Sequence, residues 1–298
     1  MNIAGAAAGD LSRICPIVSR THDSRGYGTT HTHVVKVGAV SFGADRPVVI
    51  AGPCSVESHA QTLELAKAVK ACGGDMLRGG AFKPRTSPHD FQGLGLEGLK
   101  ILQEVGRETD LPVVTEVMDP RLVEHVGEHA DMLQIGSRNM QNYPLLVEVG
   151  RFGKPVLLKR GMAASLCEWL GAAEYIAKEG NMQIILCERG IKAYPSGEYS
   201  RFILDLNVIA ALKAETFLPV IVDPSPATGI ASMVEPASRA ALESGCHGLL
   251  IEIASDRPGA AKPKCDAAQS ISPAILERIV GFVRSRHASE ERKAVYAV

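Results

Sequence analysis

The sequence lacks the features that mark several classes of protein. None of its seven cysteines belongs to a Cys-x-x-Cys pair, and their odd number argues against a disulfide framework. No apolar run reaches the roughly 18 residues that a membrane span needs. Acidic and basic residues nearly balance, 33 against 32, so the net basic surface of a general nucleic-acid binder is not expected. Residues 1–20 contain no basic segment leading into an apolar one. We therefore expect a cytoplasmic protein with no nucleic-acid or membrane partner.

From Val48 onward, the chain alternates short β-branched runs with helical patterns such as residues 58–74, which end in glycine. The predicted strands cover residues 48–54, 75–80, 112–117, 131–136, 155–160, 183–190, 219–225 and 248–253. These runs are apolar on both faces, as in a parallel sheet that helices cover. Eight such units predict an α/β fold of the (β/α)8 TIM-barrel type. A doubly wound open sheet is the alternative, because it follows the same alternation.

Composition along the chain suggests four segments. Residues 1–34 are rich in small and polar side chains and are predicted to form a flexible N-terminal arm. Residues 35–47 contain alternating apolar residues around a glycine, which predicts a short β-hairpin extension. The barrel is assigned to residues 48–285, and residues 286–298 form a charged C-terminal tail. No regulatory domain fits before Val48, so built-in feedback inhibition is not expected.

Charged residues follow nearly every predicted strand. In a β/α barrel the carboxyl ends of the strands meet at one mouth, where the chemistry takes place. Six of these residues are basic: Arg78, Lys83, Arg85, Arg138, Lys159 and Arg189. Gathering so many cations is unfavourable without anions to pair them, and phosphate and carboxylate groups suit arginine and lysine. The pattern therefore favours anionic substrates, two rather than one.

A second group of residues has the chemistry of metal ligands. Cys54 follows the first predicted strand, Glu252 ends the eighth, and Asp266 lies beyond it. One thiolate and two carboxylates can hold a divalent transition metal, although a fourth ligand, usually histidine, is expected.

Several long motifs resemble those of one enzyme family. They read AGPCSVES (51–58), LRGGAFKPRTSPHDFQGLG (77–95), TEVMDP (115–120), LQIGSRNMQN (133–142), KPVLLKRG (154–161), ILCERGIKAY (185–194) and VDPS (222–225). Over about residues 34–285 the chain resembles the short barrel type of 3-deoxy-7-phosphoheptulonate synthases. The resemblance implies a transferase that condenses phosphoenolpyruvate with a phosphorylated aldose, erythrose 4-phosphate, and releases phosphate in shikimate-type aromatic biosynthesis. It also implies a homodimer or homotetramer.

The resemblance further implies roles for individual residues. The donor phosphate and carboxylate would be bound by Arg78, Lys83, Arg138, Lys159 and Arg189. The acceptor sugar phosphate would lie along residues 83–87, in contact with Arg85, Thr86 and Ser87. Catalysis would involve Lys83, Cys54 and Glu116, the last of which could position water. Cys54, Glu252 and Asp266 match three ligands of a divalent metal, which could be Mn²⁺, Fe²⁺, Zn²⁺ or Co²⁺.

The sequence departs from the family in its late loops. The family motif Asp-Pro-Ser-His supplies a metal-binding histidine, but Pro226 stands in that place. Water or another side chain such as Cys265 could complete the ligand sphere, or the metal is lost. Phe202 and Ile203 also replace polar residues of the family. Two alternatives therefore stay open: a secondary-metabolism synthase with a different aldose, and a catalytically weak barrel that binds phosphoenolpyruvate as a partner subunit.

Overall fold

The structure is a computed structural model that describes residues 11, 13–20, 32–85, 87–193 and 201–295. Two short antiparallel strands come first, β1 (Val35–Val37) and β2 (Val40–Phe42). Eight parallel strands then close into a barrel in sequence order, with the last strand beside the first. They are β3 (Val48–Gly52), β4 (Met76–Arg78), β5 (Val113–Glu116), β6 (Met132–Ile135), β7 (Val156–Lys159), β8 (Ile184–Glu188), β9 (Val220–Val222) and β10 (Gly248–Glu252).

Helices connect the strands along the outside of the barrel. They are α1 (His59–Cys72), α2 (Leu96–Thr109), α3 (Val123–His129), α4 (Tyr143–Phe152), α5 (Leu166–Lys178), α6 (Asn207–Glu215), α7 (Pro224–Thr228), α8 (Ala231–Glu243) and α9 (Pro273–Val295). None of the helices in the described ranges is both long and apolar enough to cross a bilayer.

Local sequence signals explain where the helices begin and end. Helix α1 begins after Ser58, whose hydroxyl accepts a hydrogen bond from the Gln61 N–H, and ends at Gly73 in the left-handed conformation with φ 81°. Helix α5 begins with a capping box formed by Ser165 and Glu168. Because α1 and α5 each start a short loop after a strand, these caps fix two of the loops that form the barrel mouth.

The hydrophobic core has two layers. Alternate strand residues such as Val49 and Leu77 point outward and pack against the helices. Their neighbours Ile50 and Met76 fill the barrel interior. The buried face of the β1–β2 hairpin, including Phe42, belongs to this inner cluster. The hairpin therefore closes the amino-terminal end of the barrel, which leaves the carboxyl-terminal end for polar chemistry.

The described part of the predicted N-terminal arm packs on the barrel. The Glu174 carboxylate on α5 accepts hydrogen bonds from the backbone N–H groups of Ile17 at 2.9 Å and Val18 at 3.1 Å. Cys15 and Val18 are fully buried. Residues 13–20 therefore pack against the helices of the barrel through buried apolar side chains, and the flexibility of residues 1–34 stays a prediction. The division of the chain into four segments otherwise stays a prediction.

The sequence prediction of a (β/α)8 TIM barrel with an N-terminal hairpin is confirmed, and the open-sheet alternative is wrong. The predicted strands extend one to three residues too far at several ends. The largest difference is at residues 223–225, which do not continue β9. Asp223 precedes helix α7, and the helix begins at Pro224. Proline is compatible with the first turn of a helix, because its missing N–H would have no partner there.

Candidate active site

A polar cavity lies at the carboxyl-terminal end of the barrel strands. Seven basic side chains line it: Arg78, Lys83, Arg85, Arg138, Lys159, Arg189 and Arg201. Four carboxylates also line it: Asp90, Glu116, Glu252 and Asp266. Even when the buried Asp223 beneath Lys159 is included, the site keeps an excess of two positive charges. Its volume of about 230 Å³ suits small polar molecules, since pockets for larger ligands span about 300–1,000 Å³.

Arg78 lies at the centre of the cavity floor. It is 5% exposed, and its guanidinium pairs with the Glu252 carboxylate at 3.3 Å. Burial would lower the pKa of Arg78, but attraction to Glu252 and Asp223 outweighs it and raises the pKa. Its Nε and Nη1 atoms are buried without a hydrogen-bond partner in the described structure. Unpaired buried donors are unfavourable, so this arginine is prepared to bind an anion.

Lys83 and Lys159 are each held by a group of the barrel. The Lys83 ammonium donates a hydrogen bond to the Cys54 carbonyl at 3.2 Å. Burial would lower the pKa of Lys83, but attraction to Cys54, Cys265 and Glu116 outweighs it and raises the pKa, so this lysine is charged. Lys159 ends β7 and pairs at 2.5 Å with Asp223, which is fully buried after β9.

Arg138 and Arg189 differ from these residues because no carboxylate in the described ranges forms an ion pair with either. Arg138 lies on a short 3-10 turn, Ser137–Asn139, directly after β6. Arg189 follows β8, and its guanidinium lies 4.1 Å from the centre of the Phe202 ring. Burial lowers the pKa of Arg189. Phe202, which departs from the family pattern, therefore supports the arginine by a cation–π contact.

Glu188 and Arg160 form a polar network behind Arg189. Arg160 pairs with Glu188 at 3.0 Å and with Asp205 at 2.8 Å. Glu188 also accepts a hydrogen bond from the Gly190 N–H at 2.6 Å. The carboxylate partners of Arg160 lie 28 and 45 residues away along the chain, so the sequence gives no local signal of this network. The network fixes the backbone turn that presents Arg189.

Glu116 ends β5 and reaches the cavity close to the next strand. Its carboxylate accepts a hydrogen bond from the Gln134 amide at 3.4 Å. A Cβ at Gly136 would lie 1.9 Å from the Glu116 Oε1 atom, so glycine is required for this close approach. The side chain is 7% exposed and faces the cations that line the same cavity.

The predicted metal ligands do not all come together. Cys54, Cys265 and Asp266 bring their ligand atoms within 4.8 Å of one another. The Cys54 Sγ atom lies 3.1 Å from the Cys265 Sγ atom and 3.2 Å from the Asp266 Oδ2 atom. Glu252 instead accepts a hydrogen bond from the Gln269 amide at 2.7 Å and pairs with Arg78. The donor set of two sulfurs and one carboxylate suits a divalent transition metal.

The two thiols share one hydrogen bond. Cys54 donates to Cys265, which raises the pKa of the Cys54 thiol and lowers that of Cys265. Arg85 also donates to the Cys265 sulfur at 2.7 Å. Cys265 is therefore the thiol that ionises first, stabilised by Cys54 and by nearby cations.

The three predicted acceptor contacts differ in their positions. Arg85 lines the cavity and pairs with Asp90 at 3.5 Å. Ser87 does not line the cavity, and its hydroxyl accepts a hydrogen bond from the His89 N–H. Thr86 lies outside the described residues. Arg201, which the sequence did not single out as a cavity residue, also lines the cavity and pairs with Asp266 at 3.6 Å.

Comparisons with known proteins agree on one family. The model of the DAHP synthetase I family matches residues 25–287. A phospho-2-dehydro-3-deoxyheptonate aldolase of Thermotoga maritima is 42% identical over 247 residues, which are 83% of this chain and 72% of that protein. A 2-dehydro-3-deoxyphosphooctonate aldolase of Syntrophotalea carbinolica is 34% identical over 256 residues, 80% of this chain and 90% of that one.

Solved structures give the same result. The crystal structure of the DAHP synthase of Thermotoga maritima has a TM-score of 0.83 and 39% identity, and covers 92% of this chain and 77% of its own. A truncated form of the 3-deoxy-D-arabino-heptulosonate 7-phosphate synthase of the same organism has a TM-score of 0.81 and 36% identity, and covers 93% and 97%. The chain therefore belongs to the DAHP synthetase I family.

Proposed function

We propose that the chain condenses phosphoenolpyruvate with erythrose 4-phosphate to give 3-deoxy-7-phosphoheptulonate and phosphate, an early step of aromatic biosynthesis. The observation that carries this proposal is the cation cluster at the barrel mouth, in which Arg138 and Arg189 have no carboxylate partner in the described structure and Arg78 has buried unpaired donors. A phosphate carries about 1.5 to 2 negative charges, and a carboxylate adds one. A donor with both groups matches the excess positive charge.

The donor site is proposed to consist of Arg78, Lys83, Arg138, Lys159 and Arg189. One arginine guanidinium can donate two hydrogen bonds to two oxygens of the same phosphate or carboxylate, whereas lysine acts as a point charge. Arg138 and Arg189 are the strongest candidates for these contacts, because binding an anion there breaks no existing ion pair.

The acceptor phosphate is proposed to bind along residues 83–87, with Arg85, Thr86 and Ser87 as contacts. Arg85 supports this assignment best, because it is partly exposed at the rim of the cavity and reaches into it. Ser87 would have to turn toward the cavity when the acceptor binds.

In the proposed mechanism, the methylene carbon of phosphoenolpyruvate attacks the aldehyde carbon of the acceptor, whose oxygen becomes an alkoxide and gains the proton that water releases in the next step. Water adds to the cationic carbon that results, and the tetrahedral intermediate then loses phosphate. Glu116 is proposed to orient that water and take its proton, since its carboxylate faces the cavity. Lys83, which is charged, would stabilise the negative charge that develops on the acceptor oxygen, and the arginines would hold the leaving phosphate.

A divalent metal would fit beside the donor site, held by Cys54, Cys265 and Asp266, while Glu252 lines the same cavity. Bound there, a metal such as Mn²⁺, Fe²⁺, Zn²⁺ or Co²⁺ would act as a Lewis acid toward the acceptor carbonyl. Assembly into a homodimer or homotetramer in the cytoplasm is a further prediction of the family membership.

The test follows phosphate release from phosphoenolpyruvate with erythrose 4-phosphate or arabinose 5-phosphate, with and without chelator or added Mn²⁺. We expect turnover with the four-carbon acceptor, and near-complete loss in Arg138→Ala and Lys159→Ala. Arg121→Ala is the matched control, because Arg121 is exposed and pairs with Asp119 away from the cavity. Full activity in both cavity variants would contradict the donor site. Donor binding without turnover on any aldose would favour the partner-subunit alternative, and turnover on another aldose alone would favour a specialised synthase.

A further inference from the structure

The loop that should carry the missing histidine offers no ligand. Pro226 lies in the short helix α7, is buried, and lines the cavity. Its ring has no donor atom, and no histidine of the described residues joins a cluster of candidate metal ligands. A four-ligand site built on the family pattern would therefore lack its imidazole.

Cys265 supplies a donor atom in the same small volume. The atoms Cys54 Sγ, Cys265 Sγ and Asp266 Oδ2 form a nearly equilateral triangle with sides of 3.1, 3.2 and 3.3 Å. Both cysteines are at least 97% buried, since they are 3% and 2% exposed. They come from different parts of the fold, after β3 and in the loop between β10 and α9, so the triangle is a product of tertiary structure.

The triangle fits one face of a tetrahedral site. Two thiolates that bind one Zn²⁺ at about 2.3 Å have sulfurs about 3.8 Å apart. The sulfurs here lie 3.1 Å apart, so each side chain needs to move outward by only a few tenths of an ångström. They are also far beyond the roughly 2.05 Å of a disulfide, and both thiols are free.

The surroundings favour anionic ligands at this position. Arg85 donates to Cys265, and Arg201 pairs with Asp266. The Lys83 ammonium donates to the Cys54 carbonyl at 3.2 Å. Glu252, by contrast, already binds the Gln269 amide and Arg78.

We infer that Cys265 replaces the missing histidine, so that the site binds a divalent ion through two thiolates and the Asp266 carboxylate. This inference rests on the proposed function only in that the family's metal is expected at the same end of the barrel. A further ligand would come from water, or from Glu252 if its carboxylate left Arg78 and Gln269. Because thiolates are soft ligands, the site prefers Zn²⁺, Co²⁺ or Fe²⁺ to Mn²⁺.

The test is a titration of the reduced, metal-free protein with Co²⁺, without substrates. Thiolate-to-cobalt absorption in the near ultraviolet grows with the number of thiolate ligands, and elemental analysis gives the bound metal per chain. We expect one Co²⁺ per chain with an absorption that falls by about half in Cys265→Ser and in Cys54→Ser. Each substitution should weaken Co²⁺ binding by more than about tenfold, since even outer partners of metal ligands are worth about 10–100-fold.

Two further variants make the result specific. Cys72→Ser is the control, because Cys72 lies at the end of α1, donates to the Pro273 carbonyl and does not line the cavity. Its spectrum should match that of the unmodified protein. Pro226→His in the Cys265→Ser background should restore tight binding with the absorption of one thiolate. Circular dichroism checks that each variant folds, and Cys265→Ala replaces Cys265→Ser if the latter does not.

An absorption that Cys265→Ser leaves unchanged would overturn the inference, and so would failure of the reduced protein to bind Co²⁺. Neither result depends on turnover. A two-thiolate spectrum in a protein that condenses no aldose would leave the metal site standing and reject the proposed function. Turnover on erythrose 4-phosphate together with a one-thiolate spectrum would support the proposed function and reject the two-thiolate metal site.

Discussion

The ion pair between Lys159 and Asp223 gives the sharpest test of how the cavity is built. Asp223 is fully buried, and its Oδ1 atom has no partner in the described structure. Lys159→Met therefore leaves a buried carboxylate without its ion-pair partner. Breaking a buried pair in this way costs about 3–5 kcal/mol. We expect the free energy of unfolding in urea at pH 8 to fall by that amount.

A double-mutant cycle separates this effect from a general packing defect. Adding Asp223→Asn to Lys159→Met removes the stranded charge, so the double variant should regain about 2 kcal/mol relative to Lys159→Met. Arg138→Met deletes a cavity cation that has no carboxylate partner, and its stability should change by less than about 1 kcal/mol. The reasoning is refuted if Lys159→Met is as stable as Arg138→Met. It is also refuted if the changes in unfolding free energy caused by Lys159→Met and Asp223→Asn simply add in the double variant.

Three other substitutions test how single residues contribute to stability and to phosphoenolpyruvate binding. His247 accepts a hydrogen bond from the Val220 N–H. His247→Asn keeps an acceptor there but cannot take up a proton, so the free energy of unfolding should fall less between pH 6.5 and pH 4 than in the unmodified protein. Phe202→Leu removes the ring beneath Arg189 and should weaken phosphoenolpyruvate binding about 2- to 30-fold, the value of a cation–π contact, as measured by calorimetry. Gly190 has φ +94°, and an added Cβ would lie 2.7 Å from the Phe202 Cβ, so Gly190→Ala should destabilise the protein by about 1–3 kcal/mol in urea unfolding.

The sign of the pH effect follows from burial. Burial lowers the pKa of His247 from 6.5 to about 4. Between these values the unfolded chain binds a proton that the folded chain does not, so stability falls as pH falls through this window, by about 3 kcal/mol in total. His125→Gln, at an exposed position on α3, is the control and should retain the full loss. An unchanged pH profile in His247→Asn would contradict the assignment.

The barrel could be predicted from the sequence because its signals are local. Each strand is a short apolar run, and some helices carry their own cap, such as Ser58 before α1 and Ser165 before α5. The strand ends were less predictable, because the chain stays extended for a few residues after the ladder hydrogen bonds stop. Helix α7 was missed, since its Pro-Ser-Pro start is also typical of a loop.

The site could be predicted only in part, because pairing across the barrel is not local. The cations of the mouth are visible in the sequence, but the partner of Lys159 lies 64 residues away, directly after another strand. Likewise, Glu252 matches the metal pattern in sequence, yet in the structure it binds Arg78 and Gln269. Cys265 could be noted only as a substitute ligand, since its distance from Cys54 depends on the closure of β10 against β3.

The central claim is that the unpaired cations of the barrel mouth bind phosphoenolpyruvate. Calorimetric titration of phosphoenolpyruvate into the unmodified protein and into Arg138→Met tests it most directly. One site per chain is predicted, with affinity about 10- to 100-fold weaker in the variant, the value of one charged hydrogen-bonding group. No binding to the unmodified protein, or equal affinity in the two proteins, would contradict the claim.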